Sequence, residues 1–209
     1  MKNELSCEQG MVLYSYIVTH DTGFAPNPYG KYCTLACCKP RIRSTAKEGD
    51  WIIGLSKKSE GYKIIYLMKV REKLSFDQYF NDHRFRTKKP KINKEGDNIY
   101  KPIGQGKYHQ LCSRHSNRDG SEDIAKKKRD LSGRYVLISD HFIYFGNQMK
   151  SLPRNLRFLI VGRGHKNRFL EDQKRIFRKF VGKLSKWGRI GSPSAYGGRN
   201  TMHPKRRCT

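Results

Sequence analysis

The stretch HDTGFAPNPYG, His20–Gly30, places an imidazole, a carboxylate, a hydroxyl and a carboxamide in one loop shaped by two glycines and two prolines. Asp21, Thr22 and Asn27, with Ser44 further on, carry short polar side chains that can bond the edge of a base. Phe24, Tyr29, Tyr32 and Trp51 carry rings on which a base can stack, an interaction worth roughly 1 to 3 kcal/mol per base. Arg41 and Arg43 alternate along CCKPRIR and, if that segment is extended, can grip phosphate. So can Lys174, Arg175, Arg178, Lys179, Lys183 and Lys186 in a later amphipathic segment. A flat slot, a few fixed polar groups and flanking cations are what recognition of an extruded base needs.

Proton transfer has its own candidates. His20–Asp21 and Asp140–His141 are adjacent acid–base pairs, but neighbouring side chains on a strand point to opposite faces, so neither pair is a couple by itself. A bulge at Asp140–His141 would lift that objection, and His20 with Asp140 across neighbouring strands is a more workable dyad. These four are the catalytic set of an enzyme reading; the leading reading assigns no catalytic residue. No H-x-E with P-C-x-x-C deaminase signature, activated-nucleophile motif or acidic cluster for a two-metal nuclease is present.

Cysteines occur at 7, 33, 37, 38, 112 and 208. Cys33 with Cys37 or Cys38 reads as half a zinc site, whose other half would be Cys112 with His109 or His115. That spacing matches no common zinc module, so no metal and no cofactor are assigned. No signal peptide precedes the first apolar run, and no stretch approaches the ~20 apolar residues of a membrane span. The expectation is a cytoplasmic protein with free or buried thiols and no membrane partner.

The elements that must position these groups belong to one domain. The chain has 209 residues, 36% of them hydrophobic, including 12 Tyr and 10 Phe. Its 44 Lys and Arg against 18 Asp and Glu give a formal charge of +26, a field that repels itself unless it meets a polyanion. Nucleic acid is the expected partner, DNA before RNA, with the oligomeric state left open.

Met11–His20 reads as the first strand, and Tyr32–Arg43 as strand or short helix with Pro40 ending any helix there. Gly49–Asp50 is a turn that releases into Trp51–Leu55, which forms a hairpin with Tyr62–Val70. Ser75 caps a short helix. The basic run His83–Lys94 reads as an insertion or long loop lying across the basic face, and Lys126–Arg129 as an exposed loop. Tyr135–Gly146 returns to strand with a bend at Asp140–His141, and Asn155–Val161 reads as a further strand, with helix possible. Residues 169–187 form an amphipathic helix. The boundaries are an extension over 1–10, a domain over 11–188 and a flexible basic tail over 189–209. The Gly-rich segments at 104–106 and 162–164 lack the strand and helix context of a dinucleotide site.

KPRIRSTAKEGDWIIGL, with the aromatic strand before it and GRYVLISDHFIYFG after it, resembles the PUA-like superfamily, especially its EVE and ASCH members. THDTGFAPNPYGKYCTLACCKPRIR followed by GDWIIG looks like the predicted nucleotide-modification-associated domains of phage and bacterial genomes. The resemblance covers roughly residues 11–146. It implies an α+β fold: a curved, mostly antiparallel sheet or open β-barrel with flanking helices. It also implies a pocket bounded by residues 19–27, 38–43 and Trp51, although the expanded first loop and the 83–94 insertion depart from the EVE pattern. The expected function is a module that binds a modified base or nucleotide and performs no chemistry on it, linked to phage or bacterial DNA modification. The rivals are an enzyme acting on a nucleotide or nucleobase in such a pathway, and a structural basic protein associated with nucleic acid or the ribosome.

Overall fold

Tyr14, Tyr16, Ile52, Tyr66 and Met68 alternate with Leu13, Ile53 and Leu67 along three neighbouring strands, and both sets are buried. A sheet apolar on both faces must be covered on both, and that requirement organises the molecule. The computed structural model describes residues 10–92 and 94–196.

The elements in chain order are β1 (Leu13–Ile17), β2 (Cys33–Leu35), α1 (Pro40–Thr45), β3 (Trp51–Leu55), β4 (Ile64–Lys69), β5 (Glu72–Ser75) and α2 (Phe76–Asn81). After them come β6 (Tyr100–Pro102), β7 (Tyr108–Gln110), α3 (Ile124–Leu131), β8 (Tyr135–Ser139), β9 (Phe142–Tyr144), β10 (His165–Lys166), α4 (Glu171–Val181) and β11 (Gly188–Arg189). The main sheet runs β10-β1-β3-β4-β9-β11, a second runs β2-β8-β5, and β6 pairs with β7. Most pairs are antiparallel; β1 with β3 and β9 with β11 are parallel.

One face of the main sheet is covered by α4 and by a 3-10 helix at Arg154–Leu159, through Leu156, Leu159, Phe177 and Val181. The other packs on the second sheet and α1 through Cys33, Leu35, Leu137 and Ile42. The far side of the second sheet is closed by α2, a 3-10 helix at His83–Lys88 and the β6–β7 hairpin, through Phe76, Tyr79, Phe85 and Tyr100. Chain passes between the two sheets at Asp140–His141, where the Ser139 hydroxyl donates to the His141 carbonyl and accepts from its N–H at 2.9 and 3.0 Å.

This architecture overturns the expected curved barrel. The main sheet ends at β10 on one side and β11 on the other, and no strand pairing among the described residues joins those edges. The PUA-like expectation fails for a physical reason: each apolar face is buried by a separate layer, so the sheet need not close on itself.

Local expectations fared unevenly. The hairpin of β3 and β4 is present. Ser75 caps α2, accepting from the Gln78 N–H while the Gln78 side chain accepts from the Ser75 N–H. Pro40 begins a helix instead of ending one, because its fixed φ suits the first helical position, where no N–H partner is needed. Arg154–Leu159 is helical, not a strand, and Lys126–Arg129 lies within α3, not in a loop.

The segment expected to lie loosely across the basic face is a structural plug. Phe85 and Lys88 are buried, and the Lys88 ammonium enters the His20–Gly30 loop, donating to the Asn27 and Tyr29 carbonyls at 3.2 and 2.9 Å and to Asn27 Oδ1 at 2.8 Å.

Residues 189–196, expected to belong to a flexible tail, are docked. Gly188–Arg189 pairs with β9, and the N–H groups of Ser194 and Ala195 donate to the Asp21 carboxylate and carbonyl, both at 2.9 Å. Residues 1–9 and 197–209, parts of the expected extension and tail, lie outside the described residues. A Cβ at Gly191 would meet the Phe145 carbonyl oxygen at 2.1 Å, a backbone atom that cannot swing away. Gly191→Ala is therefore expected to detach this segment. Thermal unfolding should shift down by several degrees, since about 1 kcal/mol corresponds to roughly 2–4 °C at this size, and limited proteolysis should open a new cut near residue 190.

Candidate active site

Cys38 and Lys39 both have positive φ, 59° and 40°. Consecutive non-glycine residues in that region are strained, at a cost of order 1–3 kcal/mol each, and persist only where the surroundings hold them. Lys39 is also pushed away from the right-handed helical region by Pro40 after it. Two groups clamp the turn. The Cys38 N–H donates to Asp130 Oδ1 at 2.8 Å, and the Cys38 carbonyl accepts from Arg43 Nε at 2.8 Å. The clamp leaves the Cys38 side chain half-buried beside His115.

His115 is set by a turn of serines: the Ser113 N–H donates to the Ser116 hydroxyl at 2.9 Å and the His115 N–H to the Ser113 hydroxyl at 3.3 Å. Phe24 packs against its ring, 4.8 Å between centroids. Asp130, near the end of α3, is fully buried and takes His115 Nδ1 at 2.5 Å on Oδ2. The Tyr100 hydroxyl donates to the same oxygen at 2.8 Å. The other imidazole nitrogen, Nε2, lies 3.6 Å from Cys38 Sγ. The arrangement is thiol, imidazole and carboxylate in series, with the carboxylate selecting the ring orientation: the layout of an activated nucleophile with its base and the group that orients the base.

Burial opposes charge on His115, but its hydrogen bonds to Asp130 and Cys38, with the attraction between their charges and the imidazolium, outweigh it and push His115 up to about 9. Burial would raise Asp130; His115, the Cys38 N–H and the Tyr100 hydroxyl instead hold it below the usual carboxylate range. Lys39 and Arg41 follow the thiol in sequence. The Lys39 ammonium sits over the Tyr16 ring at 4.4 Å, and Arg41 is exposed.

Cys37, His115 and Asp130 also bring one potential metal-ligand atom each to within 4.8 Å of one another. A cation there would have to displace a buried thiol proton and meet a positive neighbour. Burial holds the Cys37 thiol well above its ordinary range, and its S–H donates to the Asp97 carbonyl at 3.7 Å; metals take the thiolate. The buried guanidinium of Arg43, bonded to the Asp130 carbonyl, adds a positive charge beside the group. Cys33, Cys37 and Cys38 are free thiols, whereas Cys112 is disulfide-bonded, which departs from the expectation of free thiols throughout.

The proposed base pocket is distributed differently. Asp21 is buried, holding the Tyr144 hydroxyl at 2.5 Å and the Ser194 N–H. Asn27 is buried and bonded to Lys88 and to the Glu95 carbonyl. Phe24 is buried against His115, Tyr32 packs on Phe85, and Tyr29 lies under the Arg189 guanidinium. Thr22 is half-buried, and Ser44 bonds the Arg41 carbonyl within its own helix. Trp51 belongs to another surface, against His141 and Trp187. These residues do not form one slot.

Arg43, expected at phosphate, is wholly buried, its guanidinium bonded to the carbonyls of Cys38, Asp130 and Tyr135. It is a helical residue, so the extended alternation with Arg41 does not exist. On α4, Lys174 and Arg175 pair with Glu171 and Asp172, Arg178 is half-buried, and Lys179 is exposed; Lys183 and Lys186 follow, exposed, beyond the helix. The alternative catalytic set does not assemble either: His20 is exposed, Asp21 binds Tyr144, and Asp140 pairs loosely with Arg71 at 3.6 Å.

The sequence brought Cys38 into view as half of a zinc site and as an edge of the expected pocket, and His115 as a zinc ligand, while Asp130 was missed altogether. A cysteine immediately before Lys-Pro, at the entrance to a helix, and a histidine set among serines were the available signals.

His115 binds its proton more tightly folded than unfolded, where an imidazole titrates near ~6.5. Its contribution to stability is complete below about pH 6.5 and is lost as pH rises through about 9. Chemical unfolding between pH 6 and 10 should show stability falling across that window, and His115→Gln should flatten the fall.

Among the described residues no helix is long and apolar enough to cross a membrane. No curated protein and no solved structure matches the chain. One family model does, described as nucleotide modification associated domain 2, over residues 11–199. With nearly the whole chain matched, the protein belongs to the nucleotide modification associated domain 2 family.

Proposed function

We propose that this domain is a thiol enzyme acting on a nucleotide or nucleobase, with Cys38 as nucleophile, His115 as proton carrier and Asp130 as the positioning residue. The observation that carries the reading is the series Sγ, Nε2, Nδ1, Oδ2, with spacings of 3.6 and 2.5 Å, built on a strained turn. The bonds from the Cys38 N–H to Asp130 and from Arg43 to the Cys38 carbonyl hold the strained turn with its thiol half-buried beside the imidazole.

The chemistry follows from the atoms. Sulfur attacks as thiolate, its proton residing on His115 Nε2. The new carbon–sulfur bond forms at an unsaturated carbon bearing C=O or C=N, and the π electron pair moves to that heteroatom. The proton on Nε2 then goes to the heteroatom or to a departing group. Asp130 keeps Nε2 aimed at sulfur and balances the imidazolium. The formal charge of +26 supports a polyanionic substrate, with DNA as the first form to test, and Lys39 and Arg41 beside the thiol suit a phosphate.

Family membership supports the nucleotide part of the reading, and the thiol geometry favours catalysis over passive recognition of a modified base. Alkylation by iodoacetamide, followed by peptide mass spectrometry, tests it. Cys38 should label faster than the buried Cys33 and Cys37, and His115→Gln should slow that labelling by about tenfold or more, equivalent to about 1.4 kcal/mol. Labelling of Cys38 at the same rate in wild type and His115→Gln would return the site to a structural role and leave the binding-module reading in its place.

A further inference from the structure

β10 lies at one edge of the main sheet, antiparallel to β1, and sets His165 opposite Tyr16. Residues opposite each other on paired strands share a face, with Cβ atoms ~5 Å apart. That face carries Tyr14 as well, whose ring lies 6.0 Å from the His165 ring, centroid to centroid. Two cations from the thiol's own segment arrive there. The Lys39 ammonium sits over the Tyr16 ring and donates to the Gly164 carbonyl, next to His165, at 3.4 Å. Arg41 is placed through its backbone: its carbonyl accepts from the Thr45 hydroxyl at 2.7 Å, and that hydroxyl accepts from Tyr14 at 3.2 Å.

Burial lowers the His165 imidazole, and the charges of Lys39 and Arg41 lower it further. Neither cation nor the imidazole is paired with a carboxylate among the described residues. Elsewhere on the molecule Arg84, Lys126 and Lys127 each have an acidic partner. Positive groups gathered without a counter-ion repel one another, and an anion among them removes that cost. Beside them, residues 160–168 fold around an open cleft of about 420 Å³, with His165, Asn167 and Arg168 on its wall and no carboxylate in its lining. Lys39 joins this cluster to the thiol: it follows Cys38 directly, and a Cys38 thiolate works against the lowering of Lys39 by burial.

We propose that Lys39, Arg41 and His165 form the subsite for the phosphate of the nucleotide on which Cys38 acts, an inference that rests on the thiol reading of Cys38. The parts suit that ligand. Arg41 offers a planar fork that pairs with two phosphate oxygens, Lys39 a point charge and His165 a ring N–H. A free base or nucleoside leaves all three unmet, so the subsite selects nucleotides over their uncharged parts.

The test alkylates Cys38 in the full-length protein with iodoacetate, an anion, and with iodoacetamide, its neutral counterpart, each rate being read by peptide mass spectrometry. Inorganic phosphate should slow iodoacetate more than iodoacetamide, and sodium chloride at equal ionic strength should not reproduce the difference. Arg41→Ala and His165→Ala should each lower the ratio of the iodoacetate rate to the iodoacetamide rate, Arg41→Ala by about fivefold, the effect of one charge in contact in water. Thymidine monophosphate should protect Cys38 from iodoacetamide where thymidine does not, and protection by a thymidine dinucleotide, whose one phosphate is internal, extends the assignment from a terminal phosphate to a bridging one. Equal effects of phosphate and chloride overturn the subsite without any variant, and so does an unchanged ratio in both variants or equal protection by thymidine. These outcomes are distinct from failure of the thiol reading, which shows as His115→Gln labelling with iodoacetamide at the wild-type rate.

Discussion

Asp130 is the interaction on which the rest of the site depends. Its carboxylate accepts from the Cys38 backbone, the Tyr100 hydroxyl and the His115 ring, while its carbonyl accepts from Arg43. Segments 92 residues apart in sequence are joined through one side chain. Taking a carboxylate wholly out of water is costly unless charged and polar partners surround it, and this one is surrounded by a cation and two neutral donors. The same set that stabilises Asp130 forces the Cys38–Lys39 turn into its strained form and aligns the imidazole. Structural satisfaction and chemical alignment are here the same bonds.

The layers around that point have complementary roles. The main sheet, apolar on both faces, is the rigid body; the second sheet, stacked on it, carries the thiol just past the end of β2. Lys88 and Asp97 form a second polar interior on the far side of the second sheet. Burial lowers Lys88 and raises Asp97, while their mutual attraction works against both shifts. Thr34 and Tyr79 donate to Asp97 at 2.7 Å each. The His20–Gly30 loop, whose composition suggests a wall for a ligand, sends Asn27 into this interior and Asp21 to Tyr144 and Ser194; its contribution to the candidate active site is Phe24 against His115.

What was legible in the sequence was mainly local. The Gly49–Asp50 turn exposed the β3–β4 hairpin, and Ser75 announced α2. Asp50 illustrates the reach of such reasoning: its carboxylate caps its own turn at the Lys47 N–H, and it also holds the Val12 N–H just before β1, a long-range bond no local pattern reveals. The barrel expectation failed because strand order is decided by which faces find cover, and that cover came from α4 and the Arg154–Leu159 helix on one face and from the second sheet with α1 on the other. Arg43 and Asn27 were misread for a related reason: a polar residue type marks a surface only when nothing buried needs its hydrogen bonds. The alignment of Cys38, His115 and Asp130 joins three distant segments, and no spacing rule connects them.

Strand β8 gives the molecule an internal measure. At its first residue, the Tyr135 carbonyl holds Arg43, the residue that clamps the thiol turn. Just past its last residue, the chain turns at Asp140–His141, where His141 supports Trp187. Five residues of strand at ~3.3 Å each put roughly 17 Å between those points, and pairing with β2 on one side and β5 on the other keeps that length from changing. The thiol turn and the aromatic corner are thus tied to the two ends of one strand, so a change that loosens β8 reaches both.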